Sequence, residues 1–386
     1  SQLYATSMFG LLPIVSPLAN LACGPLFAPI CSVGLVAALS SVFSAQGGMP
    51  LVQLASALAW VLERVAGLLS QIPYASIPVV IEAPVALAIS FAVCALIWAV
   101  WANLTYRVVL AAIAAIIAMF ACSCASVMFV DEVVMLDVGQ GDSVLLRSRG
   151  QTMLIDTGNQ DSKLIAALGR NHVYRLDSVL VTHADDDHYG SIDAISKAVH
   201  VERGIVSARM LECPDDACED VVSQLKGLSN EVVGIEQGDT FEVGAFSCRV
   251  IWPHGFVDDG GNADSLCLEV SYDGDGDGSV DVRSLFTGDA EKDQLEAMIS
   301  EGMKGRVDIL KVGHHGSRDS LTKSQADYLK PAVALIGVGE HNRYGHPNED
   351  TLDVLGSCGC KVFRTDEDGD ICCSLSADGI RVRTMK

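Results

Sequence analysis

The sequence predicts an α-helical membrane segment followed by an α+β domain, and three observations carry that prediction. Charge is sharply partitioned along the 386 residues. Residues 1–130 hold only Glu63, Arg64, Glu82 and Arg107, so the formal net charge of −22 belongs to residues 131–386. From residue 131 onward, short β-branched and aliphatic runs alternate with turns, which is strand patterning. Those runs repeatedly finish at an aspartate or a histidine. A charge-poor apolar third reads as membrane-embedded, and the rest as an acidic soluble domain. The expected domains are therefore 1–130 and 131–386.

Within the apolar third, residues 8–45 carry Pro13, Pro17, Pro25 and Pro29, which predicts broken or kinked membrane helices. Residues 51–71 place Glu63 and Arg64 in an apolar helical pattern, suited to an interfacial helix or one lining a bundle. Residues 78–102 and 108–130 are each long enough to span a bilayer. Arg107, in the short loop between them, puts that loop in the cytoplasm by the positive-inside rule, so residue 131 emerges outside. The chain opens at Ser1 in apolar sequence without a basic leader. It is expected to be a piece of a longer protein rather than to start with a signal peptide.

The thirteen cysteines contain no zinc-type pairing of Cys-x-x-Cys motifs. Cys213 and Cys218 flank an acidic turn and could form a disulfide in an oxidising space. Cys358, Cys360, Cys372 and Cys373 lie in strand-like sequence and read as buried.

The soluble part begins with two predicted strands, 133–136 and 144–147, joined by the Gly-rich turn Asp-Val-Gly-Gln-Gly-Asp-Ser (137–143). A strand at 153–155 ends in Asp156, a helix covers 163–170, and a strand at 176–181 leads into Thr182-His183-Ala184-Asp185-Asp186-Asp187-His188-Tyr189-Gly190. A helix is expected over 191–200. Strands are then expected at 246–252, 265–272 and 282–286, the last followed by Thr287-Gly288-Asp289 and a helix to about 301. The strand at 307–312 ends in Gly313-His314-His315-Gly316-Ser317, and the strand at 332–338 is followed by a turn that reaches His346-Pro347. Asp273 to Gly278 opens like an EF-hand loop, but the twelfth position is Ser284 where a bidentate Glu is required. It reads as an acidic hairpin turn.

The candidate chemistry lies at these strand ends. His183, Asp185, Asp187 and His188 fall within six positions, where a turn can bring imidazole and carboxylate to one point. Two divalent ions need about six or more ligands including a bridging carboxylate, for which Asp289 is the natural choice. His346 and one of His314 or His315 would complete the shells. The other of that pair would orient substrate or protonate a leaving group. Asp187, His314 and His315 are thus the candidate catalytic residues. Asp156 would hold a histidine ligand through its other nitrogen. Asp264 either approaches the metals or closes its turn. His172, His200, His254 and His341 fall outside the pattern and read as surface residues.

These residues resemble the metallo-β-lactamase superfamily, whose signature His-x-His-x-Asp-His appears here as His183-Ala184-Asp185-Asp186-Asp187-His188. The second histidine has become Asp185. That exchange is similar to the ComEC family, as are the motifs at 137–143, 287–290, 310–317 and 344–347. Residues 16–25 are similar to the end of that family's membrane competence domain. The resemblance implies an αββα sandwich with a metal site along one edge, behind the last helices of a channel for DNA uptake. It implies two divalent ions, with Mn²⁺ favoured over Zn²⁺ because Asp185 makes the site harder. It further implies an extracytoplasmic nuclease that degrades the strand not imported, in a multi-pass protein of the inner or plasma membrane. Implied partners are single-stranded DNA, the membrane, the amino-terminal channel portion and other competence proteins, with a homo-oligomer left open. An acidic domain is a poor general phosphate binder. Bound cations and Lys311, Arg318 and Arg343 beside the motifs would offset this. The alternatives are a sandwich that guides DNA without cutting it, and a phosphorylcholine-esterase-like hydrolase of the cell surface on the same fold.

Overall fold

The computed structural model describes residues 2–72, 75–100, 106–108, 110–112, 114, 118, 129–196 and 198–386. It divides into two units, residues 1–90 and 91–386. In the first unit, α1 (Gln2–Phe9) precedes β1 (Leu11–Pro13), which pairs antiparallel with β2 (Ser76–Pro78). Between them, α2 (Ser16–Phe43) and α3 (Ala45–Ser70) form a helical hairpin. Ser44 makes the turn, its Oγ accepting the Gly47 N–H at 3.1 Å as the amino-terminal cap of α3. The break expected over 8–45 falls at residues 10–15, where α1 gives way to β1 with Pro13 at its end, and no break follows it before Ser44. Pro17 sits in the first turn of α2, where no N–H is missed, and the helix runs on through Pro25 and Pro29. α2 and residues 46–70 of α3 are long and apolar enough to cross a membrane. In α3, Glu63 and Arg64 are exposed, and Arg64 lies over the Trp60 ring. α4 (Ala83–Val100) is apolar throughout. Most of the expected span 108–130, and residues 103–105 of the loop before it, lie outside the described residues.

From Glu132 the second unit is built of two sheets. The first contains β3 (Glu132–Met135), β4 (Val144–Ser148), β5 (Gln151–Ile155), β6 (Arg175–Leu180), β7 (His200–Ser207) and β8 (Glu231–Ile235). The second contains β9 (Thr240–Val243), β10 (Phe246–Trp252), β11 (Cys267–Tyr272), β12 (Val282–Phe286), β13 (Ile309–Lys311), β14 (Val333–Ile336) and β15 (Lys361–Arg364). The chain then returns to the first sheet through β16 (Ile371–Ser376) and β17 (Gly379–Thr384), giving the orders β17-β16-β3-β4-β5-β6-β7-β8 and β15-β14-β13-β12-β11-β10-β9.

Period-two patterning explains how the layers face. Val133 and Met135, Val144 and Leu146, Met153 and Ile155 from the first sheet share one core with Val282, Phe286, Ile309, Val333 and Leu335 from the second. The intervening Leu285, Leu310, Ala334 and Ile336 point the other way, into a second core under the helices Lys292–Ser300, Lys323–Leu329 and Glu349–Ser357. In each sheet an antiparallel half passes into a parallel half, at β5 in the first and β12 in the second. The carboxyl ends of the parallel strands therefore collect along one edge, where ligand sites form in such sheets.

Several expectations need correction. The helix expected over 191–200 spans only Ile192–Ser196, and β7 has begun by His200, where Val201 and Ile205 enter the sheet core. Cys358 and Cys360 are not in a strand. They follow the helix Glu349–Ser357, half-buried against the second core. Cys372 and Cys373 are buried in β16. Cys213 and Cys218 are free thiols that both donate to the Asp259 carbonyl. Residues 273–281 form the connection of the β11–β12 hairpin. His172, His200, His254 and His341 are exposed.

Candidate metal centre

The site begins with Asp156, one residue past the end of β5 and buried. Its Oδ1 accepts the Thr182 N–H at 2.8 Å. Its Oδ2 accepts the Thr182 hydroxyl at 2.7 Å and the His188 Nδ1–H at 2.8 Å. One carboxylate thus ties the end of β5 to both ends of the histidine-rich turn. Thr182 Oγ1, its own proton committed, accepts from His183 Nδ1 at 3.0 Å. Both rings consequently turn Nε2 inward, and these two buried atoms have no hydrogen-bond partner. Their ring centroids are 4.1 Å apart.

Asp289 closes the group from the other sheet. β12 ends at Phe286, and Gly288 turns the chain with φ 51°, where a Cβ would meet Ser265 and Thr182. The Asp289 N–H is held by Ser265 Oγ at 3.0 Å, and Oδ1 lies 3.2 Å from His188 Nε2. Ligand atoms of His183, His188 and Asp289 all lie within 4.8 Å of one another. His315 supplies the neighbouring set. Its Nδ1–H donates to the Gly337 carbonyl at 2.8 Å, and Nε2 lies 3.0 Å from Asp187 Oδ2 and 3.4 Å from Asp289 Oδ2. Asp187, His188 and His315 form a second such group, and Asp142, Asp289 and His315 a third.

Two members were not foreseen. Asp142 is buried in the Gly-rich turn, its N–H donating to the Asp187 carbonyl at 3.1 Å. Gly141 before it has φ 128°, and a Cβ there would meet the same Asp187 carbonyl oxygen at 2.3 Å, so only glycine lets the two motifs lie together. Lys311 was expected to face phosphate. Instead its ammonium is buried, paired with Asp142 and donating to the Gly288 carbonyl at 2.6 Å. Asp142 precedes a strand, whereas the acids that the sequence marks as ligands end one.

Charge inside the cluster outweighs burial. Burial alone would raise the Asp289 carboxyl, but His188, His315 and Lys311 hold it well below the usual carboxylate range. For Asp187 burial is likewise overcome, by His315 and His188, and its carboxyl falls to about 2. Burial would lower His315, yet Asp289 and Asp142 push it up to about 10. The carboxylates thus draw protons onto the imidazoles. A divalent cation at the same place would displace those protons, which is how such ligand sets couple metal binding to proton release. The converging Nε2 atoms and the surplus of carboxylate fit divalent ions.

The remaining candidates form a rim. The Asp185 side chain is 47% exposed, with Oδ2 3.6 Å from His183 Nε2, and its carboxyl is lowered chiefly by that histidine. His314 and His315 both have left-handed backbone (φ 44° and 50°), and His314 points away from the cluster. Its Nδ1 bonds Glu291 Oε1 at 2.7 Å, and Nε2 lies 3.5 Å from Asn262 Nδ2. His346 packs edge-on to His314 at 5.5 Å and stacks with Tyr344, and its Nδ1 is buried without a partner. Burial and the two neighbouring histidines lower its pKa. Among the described residues, His346 and Asp185 are in none of the close ligand groups. Asp264 does not face the cluster. Its carboxylate accepts the N–H groups of Val257, Asp258 and Gly260, and so closes the loop whose Gly260 carbonyl holds Ala184 N–H at 2.8 Å.

Comparison with known proteins agrees with this geometry. The model of the metallo-beta-lactamase superfamily matches residues 136–339, more than half of the chain, and the Competence protein model matches residues 3–105. ComE operon protein 3 of Bacillus subtilis is 30% identical over 261 residues, which is 62% of this chain and 32% of that protein. Competence protein ComA of Neisseria gonorrhoeae is 27% identical over 65% of this chain and 33% of its own length. The chain spans about a third of the length of these relatives. Among solved structures, the metallo-beta-lactamase fold protein YhfI of Bacillus subtilis overlaps with a TM-score of 0.39 at 12% identity, over 60% of this chain and 95% of that one. With the superfamily's model matching more than half of the chain, behind a competence-protein match and among relatives that are competence proteins, the chain belongs to the metallo-beta-lactamase superfamily and within it to the ComEC family.

Proposed function

We propose that this chain serves DNA uptake, with residues 131–386 acting as a metal-dependent phosphodiesterase on the strand that is not imported. Residues 1–130 are its membrane part, and the enzyme domain lies on the extracytoplasmic side. The observation that carries the reading is the pair of buried, unpartnered Nε2 atoms of His183 and His188 converging with Asp289. These three residues would hold one divalent ion, and Asp187, His315 and Asp289 a second. Such ions, when bound, supply Lewis acidity that makes hydroxide available near neutral pH and offsets charge on a phosphate. Asp185 at the open side, in place of an imidazole, supports Mn²⁺ ahead of Zn²⁺.

The chain's own groups do the rest. Asp156 orients His188 and, through Thr182, His183. Lys311 fixes Asp142 against the Gly-rich turn and is not free to meet substrate. His314, partly exposed and held at Nδ1 by Glu291, presents Nε2 at the rim, where it can hand a proton to the departing sugar oxygen. His346 and Tyr344 offer a stacked edge beside it. Single-stranded DNA, the membrane, the rest of the channel and other competence proteins are the partners this reading entails.

The test uses the full chain in detergent, stripped of metal and reloaded with Mn²⁺, Zn²⁺ or Mg²⁺, with labelled single-stranded DNA as substrate. Metal-dependent cutting that disappears in Asp187→Ala/His188→Ala is the expected result. Stoichiometric metal binding without cutting under any of the three ions would reject the nuclease and leave a domain that guides DNA.

A further inference from the structure

The outer face of the first sheet, at its β17–β16–β3–β4 side, carries a feature the proposed function does not use. β3 and β4 pair antiparallel, with Met135 opposite Val144 near the metal edge and Glu132 opposite Arg147 at the far end. The far end also receives the carboxyl terminus of the helix Asp161–Arg170 and the start of the domain at Val130. A cleft of about 800 Å³ runs along this face, from Val130, Arg147 and Arg381 at the far end past Arg170 and Arg383 to Met385 beside the end of β16 that carries Asp370. Arg147 is neutralised by Glu132 at 3.1 Å, and Arg170 by the buried Asp370 at 2.7 Å. Arg381 and Arg383 are exposed, and among the described residues neither makes an ion pair with a carboxylate. Ladder register aligns Arg381 with Ser374, Glu132 and Arg147 in one row across four strands. The cleft is therefore a pocket of net positive charge on a domain whose overall charge is strongly negative.

We infer that this cleft binds the phosphate headgroup of an anionic phospholipid and seats the domain on the bilayer. The inference rests on the reading that residues 108–130 cross the membrane. Val130, in the cleft wall, is the last residue of that apolar run, and the Phe129 side chain beside it is 84% exposed. Two residues of chain reach only about 7 Å. The cleft is thus held at headgroup depth, where basic side chains meet lipid phosphate. Guanidinium groups suit that partner because their planar donors grip phosphate oxygens in pairs. Val130 and Met385 offer an apolar wall for the glycerol end. A nucleic acid would have to displace the membrane surface to enter. Charge on an edge strand also discourages edge pairing. That role alone would not bring Arg147 and Arg170 to the same cleft from β4 and the helix.

The test titrates the full chain, purified in detergent, with short-chain phosphatidylglycerol, phosphatidylcholine or oligothymidylate, and counts bound molecules by native mass spectrometry. Arg381→Ala/Arg383→Ala should bind phosphatidylglycerol about thirtyfold more weakly, the effect of two arginines at a charged surface. Arg381→Lys/Arg383→Lys should retain most of the binding, and phosphatidylcholine should distinguish none of them. Unchanged metal content at the metal edge confirms that each variant is folded. Equal phosphatidylglycerol binding by wild type and the alanine variant overturns the inference. So does oligothymidylate that binds through the same arginines and displaces the lipid, which would make the cleft a nucleic-acid surface. In a second arm the chain is offered nanodiscs of phosphatidylglycerol or phosphatidylcholine, and failure of the wild-type chain to enter either would instead overturn the membrane reading on which the inference rests. Entry without a phosphatidylglycerol preference sinks the inference alone.

Discussion

Two groups of polar residues sit within a few ångströms of each other at the metal edge, and they are built differently. In the inner group, His183, His188, His315, Asp142 and Asp289 are buried, and the inner nitrogens are aimed by hydrogen bonds behind them. In the rim, Asp185, His314 and His346 are partly open to solvent; His314 and His346 pack on one another, His314 bonds Glu291, and Asp185 faces the inner His183. Burial of so much charge costs stability unless each group is paired. An arrangement kept in spite of that cost is suited to hold cations, while the rim is suited to meet and release a substrate. The same residue types thus sit in two environments that differ in burial and in the hydrogen bonds behind them.

Removing the centre of the inner group should have the largest effect. Asp289 joins all but one of the inner ligand sets, so Asp289→Ala is expected to lose both ions by elemental analysis. DNA cleavage should fall by about a thousandfold, the consequence of losing several kcal/mol of charge stabilisation. Retention of two ions per chain would mean that the inner group is not the metal site. The paired histidines sharpen the same contrast. His315→Ala should lower metal content. His314→Ala should keep metal content and lower kcat by about a hundredfold, with the loss smallest for substrates bearing a good leaving group. The reverse outcome would exchange the two roles.

Asp156→Ala probes the support of the inner group rather than its surface. The carboxylate touches no other member of the ligand groups than His188, yet three hydrogen bonds end on it. Metal affinity should fall by about 10–100-fold, read by competition with a chelating dye, because the histidine rings lose their fixed orientation. An unchanged affinity would show that packing alone orients them.

The sequence reveals these residues unevenly, for physical reasons. Strand ends at Asp156, His183 and Asp289 were legible because aliphatic runs of sheet length stop at a polar group. Asp156 as the partner of His188 also followed from the chemistry of imidazole ligands. The choice between His314 and His315 was not legible. Two adjacent histidines have the same composition signal, and only the fold shows that His315 meets Gly337 while His314 meets Glu291. Asp142 and Lys311 were missed as a pair because they lie far apart in sequence and meet only when the Gly-rich turn folds over the histidine turn. The broken or kinked helices expected in the apolar third rested on proline count, and only Pro13 marks a break. The position of Pro17 in the first helical turn, and the continuation of α2 through Pro25 and Pro29, depend on context beyond that count.

The smallest expected effect is also the most selective. Asp185 stands where the superfamily signature has histidine, on the open side of His183. Asp185→His replaces a hard oxygen donor by an imidazole without touching the buried ligands. It should leave total metal content near the wild-type value and shift the preferred ion from Mn²⁺ toward Zn²⁺, by about a few-fold in relative affinity, since softer donors favour the softer cation. Competition between the two ions, followed by elemental analysis of the purified chain, reads this directly. A shift establishes that the rim carboxylate reaches the ion beside His183. No shift, with activity intact, assigns Asp185 to the substrate side of the rim together with His314 and His346. The buried group would then account for both ions alone.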